Sequence, residues 1–212
     1  FYRWFTGGET NLAYLCTDWQ LEKGRKNKLA LIWEGEPWDE TIQQPREVRK
    51  FTYSDLYRES NRIAYALRER LNVQKGEIIT FYLPMIPELP LYMLAVQRLG
   101  ASHSIVYSGF SAEAVATRVL DAGSKIIVTA DGLYRRGKIV ELKPIIDVAI
   151  NACEENGHHV ERVIVVKRIG QEIPWDDKRD FWHHDLIKGI SKNVKVDAAR
   201  RGSEDMSYIL YT

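Results

Sequence analysis

The sequence has little of several things, and each scarcity removes a class of protein. Only two of its 212 residues are cysteine, Cys16 and Cys153. That is too few for a disulfide scaffold or a four-cysteine zinc site, so reduced thiols in a cytoplasmic protein are expected. Neither has a CxxC neighbour or an obvious base, and both read as buried thiols rather than nucleophiles. Charge of one sign is also lacking: 30 Lys and Arg against 29 Asp and Glu leave +1. No global field is present to hold nucleic acid or an anionic membrane. The opening residues show no basic-then-apolar leader. The most apolar stretch, 78–96, is broken by Pro84, Pro87, Glu88 and Pro90. A strand, a proline turn and a short buried helix are expected there, not a membrane span. GxxxxGK[ST] and GxSxG do not occur, which removes the P-loop and serine-hydrolase readings. The pairs His158-His159 and His183-His184 have no cysteine or acid at ligand spacing, so they read as surface histidines and no metal site is expected. No internal repeat or low-complexity segment appears.

What is present is a core. At 45% hydrophobic and 11% aromatic, the chain can bury enough apolar surface to fold. Residues 1–50 read as an irregular segment packing on a sheet domain over 51–212, with a strand at 29–33 and an exposed polar loop at 34–50. Thr52 with Asp55 forms a capping box ahead of a helix whose stripe is Leu56, Ile63, Leu67 and Leu71. From Gly76 a regular alternation sets in. Strands are expected at 78–83, 103–107, 125–130 and 162–167, with a further one at 206–211. Between them lie a helix led by Pro87, one capped by Ser111 and closed by Gly123, and one carrying Leu142, Ile145, Ala149 and Ala152. The polar stretch 171–201 reads as a surface connection. Continuous rather than alternating apolar strands separated by helices predict an α/β fold: a doubly wound, mainly parallel sheet flanked by helices. The chain starts at Phe1 and stops at Thr212 just after the apolar run 208–211, so a piece of a longer protein is expected.

In such a sheet, ligands bind outside the carboxyl ends of the strands. Two connections at that edge stand out. In Tyr107-Ser108-Gly109-Phe110-Ser111 the glycine permits close backbone approach and the helix start behind it favours an anion, although the same glycine would serve a tight turn. In the basic loop after the third strand of the alternation, Arg135, Arg136, Gly137 and Lys138 set three cations around a glycine on a neutral protein. They are either a solvated loop or an anion site, with guanidinium forks and a mobile ammonium for phosphate oxygens. Successive parallel strands bring both connections to one edge. Rings for a base beside cations for its phosphates suggest a nucleotide-tail site.

At these residues the chain resembles the amino-terminal portion of the AMP-forming acetyl-CoA synthetases of the adenylate-forming superfamily. The matching segments are Trp4-Phe5-Thr6-Gly7-Gly8 with Asn11, Ala30 to Glu36, Leu83-Pro84-Met85-Ile86-Pro87-Glu88, and Gly109-Phe110-Ser111-Ala112-Glu113-Ala114. Further on, Thr129-Ala130-Asp131-Gly132 with Tyr134-Arg135 and Gly137-Lys138, Val165-Val166-Lys167-Arg168, and Trp182-His183-His184-Asp185-Leu186 also fit, so the likeness runs nearly end to end. It implies part of the large amino-terminal domain of an acetate–CoA ligase that uses ATP, Mg2+, acetate and coenzyme A through an acetyl-adenylate. Tyr107, Ser108, Gly109, Arg135, Arg136, Gly137 and Lys138 would then face the nucleotide end of coenzyme A. Thr212 would begin the ATP phosphate loop. No catalytic residue falls within these residues, and the carboxy-terminal domain with its lysine is absent from them. The piece alone is therefore expected to be inactive. Propionate or another short acid, and a non-catalytic nucleotide-tail module, are the alternatives. Neither nucleic acid nor membrane is an expected partner, and no oligomeric state is implied. The family usually has Phe at position 107 and Ala or Gly at 108, and position 136 varies. The loop at 37–50 looks longer than usual and has no assigned role.

Overall fold

Strands that are apolar on both faces need helices on both sides, and the chain supplies them in turn. The computed structural model describes residues 2–211. Here β1 (Leu29–Glu34) pairs antiparallel with β2 (Val48–Thr52), which leads into α1 (Tyr53–Leu71). Then follow β3 (Ile78–Tyr82), α2 (Glu88–Arg98), β4 (Ser102–Ile105), α3 (Ala112–Ala122) and β5 (Ile126–Ala130). β6 (Gly132–Arg135) and β7 (Lys138–Glu141) precede α4 (Lys143–Glu155), β8 (Arg162–Val166), β9 (Asp180–Trp182) and β10 (Tyr208–Ile209). The central sheet has six strands in the order β9-β8-β5-β3-β4-β10, every neighbouring pair parallel. α1 packs with α2, and α3 with α4. Because β4 lies on one side of β3 and β5 on the other, the winding direction reverses at β3. That reversal opens a crevice at the carboxyl ends of β3 and β5.

Local chemistry explains the boundaries. The Thr52 hydroxyl accepts from the Asp55 amide and the Asp55 carboxylate accepts from the Thr52 amide, capping α1 reciprocally. Its stripe of Leu56, Ile63, Leu67 and Leu71 is buried. The Ser111 hydroxyl accepts from the Ala114 amide at the start of α3, and Gly123 ends that helix in the left-handed region at φ 60°. Phe81, Tyr82, Ile127, Val128, Val163 and Ile164 are wholly buried in the sheet.

Three sequence expectations are corrected. Residues 34–50 are not a plain loop: Trp38–Asp39 pairs with Gln44–Pro45, and β2 returns along β1. An exposed ribbon satisfies its backbone without burying a side-chain face, so apolar periodicity does not mark it. The stretch 171–201 contains β9, an edge strand along β8. Buried ions anchor it: Lys143 Nζ lies 2.8 Å from Asp180 and 2.7 Å from Asp147, and the Lys143 and Asp180 side chains are 0% exposed. His183 is not a surface histidine. Its Nδ1 sits 2.8 Å from the Tyr92 hydroxyl, and burial pushes its pKa down to about 4. His158 is half-buried with Nε2 2.8 Å from the Ser124 carbonyl oxygen, while His159 and His184 are exposed. Adjacent residues point in different directions, so a pair seldom shares one environment. The thiols fit their reading in part: Cys153 is buried and Cys16 half-buried, and burial raises both thiol pKa values.

Candidate functional site

The basic stretch read as a loop is a β-hairpin. β6 and β7 pair antiparallel, with Arg135 opposite Lys138 and Tyr134 opposite Ile139. Arg136 and Gly137 form the two-residue turn with φ of 51° and 72°, the left-handed pair that such hairpins use. Asn or Asp usually holds the first turn position, so an arginine there conceals the turn from a sequence reading. Directly opposed residues project from one face, so Arg135 and Lys138 present two cations together, an arrangement that costs stability. Among the described residues no carboxylate lies within ion-pair distance of the Arg135, Arg136 or Lys138 side chains. The unpaired charge faces solvent.

The turn after β4 meets this hairpin. The Phe110 amide donates to the Tyr107 carbonyl oxygen at 3.0 Å, and the Tyr82 hydroxyl donates to the Phe110 carbonyl oxygen at 2.8 Å. Burial pushes the Tyr82 phenol up to about 12, so it remains a donor. The Arg135 guanidinium lies 5.6 Å from the Tyr107 ring centre, within cation–π range. A Cβ on Gly109 would stand 2.5 Å from Tyr107 Cε1 and 2.7 Å from Arg135 Nη1, so only glycine lets these groups close up. The Tyr107 and Phe110 rings meet edge to face at 5.8 Å and are 54% and 41% exposed. Arg118 sits between the Phe110 and Tyr211 rings, 4.9 Å and 5.0 Å from their centres.

The structure thus brings together Tyr107, Gly109, Arg135 and Lys138 of the residues singled out in the sequence. Ser108 is buried, at 8% exposed, and tucks under the turn. Arg136 contributes its backbone amide, which donates to the Glu36 carboxylate. Thr212 lies outside the described residues.

Sequence reasoning missed the frame of the hairpin. The Arg168 guanidinium is held between the Trp33 and Tyr134 rings, 5.2 Å and 4.9 Å from their centres, and pairs with Glu47 at 2.8 Å. It therefore packs the hairpin face opposite the cations, and the 34–50 ribbon reaches the same hairpin directly through Glu36 and, by way of Arg168, through Glu47. Nothing in local sequence joins positions so far apart. A cavity of about 580 Å³ lined by Glu9, Asn11, Asp18 and Arg200 lies at the amino edge of the sheet and takes no residue from this site. Among the described residues no three His, Cys, Asp or Glu side chains gather as a metal site, and no helix is long and apolar enough to cross a membrane.

Exposed rings, a close-packed glycine turn and two neighbouring cations thus meet at the crevice of a parallel sheet. The chain belongs to the AMP-binding enzyme family, which it matches over residues 18–212. Within that family it is similar to the acetyl-coenzyme A synthetase of Pyrobaculum aerophilum, at 50% identity across 100% of this chain and 31% of that protein. The acetyl-coenzyme A synthetases of Methanothrix thermoacetophila and Streptomyces coelicolor are each 43% identical over 99% and 100% of this chain, and 30% of their own lengths. The chain thus spans under a third of the relatives it matches.

Proposed function

We propose that this chain is the amino-terminal part of an AMP-forming acetate–CoA ligase and supplies part of its coenzyme A site. One observation carries the site assignment: Arg135 and Lys138 share an unpaired, exposed hairpin face beside the Tyr107 ring, at the carboxyl edge of the sheet. Likeness over the whole chain to acetyl-coenzyme A synthetases supplies the reaction.

In this reading an acetate oxygen attacks the α-phosphorus of ATP, pyrophosphate leaves, and acetyl-adenylate forms. The coenzyme A thiol then attacks the acetyl carbon and AMP leaves. Placing the reactants and neutralising phosphate charge are the protein's main tasks. Acetate, ATP and the magnesium that accompanies ATP are held mostly by parts of the protein beyond this chain, with Thr212 opening the phosphate loop. The chain's own residues act on the coenzyme. The Tyr107 and Phe110 rings flank its adenine, and Arg135 offers a guanidinium fork to phosphate oxygens. Lys138 adds a mobile charge. Ser108, Gly109 and Gly137 let backbone approach, and Arg136 contributes charge at the turn. Residues 51–212 form the sheet domain on which residues 1–50 pack, the protein works in the cytoplasm, and the piece alone is inactive.

The test uses the complete protein. Acetate should drive ATP–pyrophosphate exchange without coenzyme A, and acetyl-CoA should appear when coenzyme A is added. Faster exchange with propionate would move the acid substrate, and no exchange with either acid would overturn the reading.

A further inference from the structure

We infer that Asp131 is a positioning residue that holds the Arg135 hairpin against the sheet so that its cations face the coenzyme, an inference that rests on the coenzyme A reading above. Asp131 directly follows β5 at the mouth of the crevice, and its side chain is 0% exposed. No cation neutralises it among the described residues; backbone amides surround it instead. One carboxylate oxygen accepts from Gly132 at 2.9 Å, Arg168 at 2.7 Å and Ile169 at 3.0 Å. The other accepts from Gly170 at 2.8 Å and again from Ile169 at 3.3 Å. The backbone of the same residue closes the clamp: its amide donates to the Val166 carbonyl oxygen, and its carbonyl oxygen accepts from Leu142, where the hairpin returns.

Asp131 therefore ties both ends of the hairpin to the turn after β8. That turn carries Arg168, whose guanidinium packs on Tyr134 on the hairpin face opposite the cations. Gly132 lets the clamp close, because a Cβ there would meet the Ile169 side chain and stand 2.7 Å from the Val140 carbonyl oxygen. An ionised carboxylate is an acceptor only, so it suits this ring of donors. An asparagine of the same size would place an NH2 group against the Gly170 and Ile169 amides, or, flipped, against three amides. The substitution frees the hairpin base while the groups that would touch the coenzyme stay unchanged.

The experiment is a double-mutant cycle in the complete protein with Asp131→Asn and Arg135→Ala. It reads the KM for coenzyme A and the rate of acetate-dependent ATP–pyrophosphate exchange. Asp131→Asn should raise the KM at least tenfold and leave exchange within twofold of the parent. In the double variant the KM should rise by clearly less than the product of the two single effects, because Asp131 acts largely through the arginine; independent effects would multiply. Gly132→Ala displaces the same hairpin base without touching the carboxylate, should raise the KM likewise, and serves if Asp131→Asn does not fold. If Arg135→Ala raises the KM and the clamp variants do not, or if their effects multiply, the positioning role is overturned while the site reading stands. If Arg135→Ala leaves the KM unchanged, the site reading fails and the inference falls with it. A parallel loss of both half-reactions would mean that Asp131 serves folding alone.

Discussion

Gly109→Ala separates packing from binding. A methyl group there would stand 2.5 Å from the Tyr107 ring and 2.7 Å from the Arg135 guanidinium, against 3.4 Å for ordinary contact. The neighbours must therefore move apart by roughly 1 Å, the repulsion being steep at such distances. Both obstacles are side chains, and the Tyr107 ring is 54% exposed, so it can swing into solvent. The φ of Gly109 is not in the left-handed region, so alanine adds no backbone strain there. Loss of the unfolded chain's extra freedom favours alanine by roughly 0.4–1 kcal/mol, so net stability should change by about 1 kcal/mol or less. Binding should suffer more. The cation–π contact contributes roughly 0.5–1 kcal/mol and a charge-assisted phosphate bond about 1.5–3 kcal/mol. Losing most of one such bond, about 2 kcal/mol, raises the KM for coenzyme A by ~30-fold. The assay is steady-state acetyl-CoA formation by the complete protein with coenzyme A varied, with ATP–pyrophosphate exchange and thermal unfolding as controls. An unchanged KM would refute the argument that the Tyr107–Arg135 contact faces the coenzyme.

Three further outcomes follow from buried and neighbouring charges. The His183 imidazole has its folded pKa depressed to about 4 by burial, against an ordinary 6.5. Its neutral form is fully accommodated above pH 6.5, and as pH falls toward 4 the unfolded chain takes a proton the folded chain refuses, costing up to about 3 kcal/mol. Urea unfolding across that window should show the loss added to that of His103, whose buried imidazole is likewise depressed to about 4, so His183→Asn should lessen the slope without abolishing it; an equal slope in the variant would contradict the assignment. Lys143→Ala leaves the Asp180 carboxylate with Arg179 as its remaining cation and should cost about 3 kcal/mol. Less than 1 kcal/mol in the same measurement would mean that the ion cluster does not anchor β9. Glu36→Gln removes a carboxylate from the hairpin turn, where it accepts from the Arg136 amide. The KM for coenzyme A should fall about twofold to threefold through relief of exposed charge competition, whereas a rise would assign Glu36 to shaping the turn.

Much of the scaffold was legible because its signals are local. Thr52 with Asp55, Ser111 and Gly123 each mark a helix end within a few residues, and β3, β5 and β8 are mostly apolar runs, whereas β4 buries Ser102, His103 and Ser104. The edge strand Asp180–Trp182 was missed because it is short and amphipathic, held by an ion pair to a residue 37 positions earlier in the chain. At the site, sequence brought Tyr107, Gly109, Arg135 and Lys138 to one edge because parallel winding dictates where successive connections fall. It misread the carrier of the cations, since Arg136 in a left-handed turn lacks the usual Asn or Asp signal. Asp131, Glu36 and Arg168 act across long separations, and their partners emerge only when the chain is folded.

The assignment of Arg135 rests on the nucleotide tail of coenzyme A, so pantetheine, which carries the same thiol without that tail, isolates it. The measurement compares kcat/KM for coenzyme A and for pantetheine in the second half-reaction, in the complete protein and in its Arg135→Ala variant. The parent should prefer coenzyme A strongly, and the variant should lose about tenfold or more of that preference, the scale of one charge-assisted phosphate contact, with pantetheine turnover unchanged. An equal preference in parent and variant would show that the cationic hairpin does not hold the coenzyme.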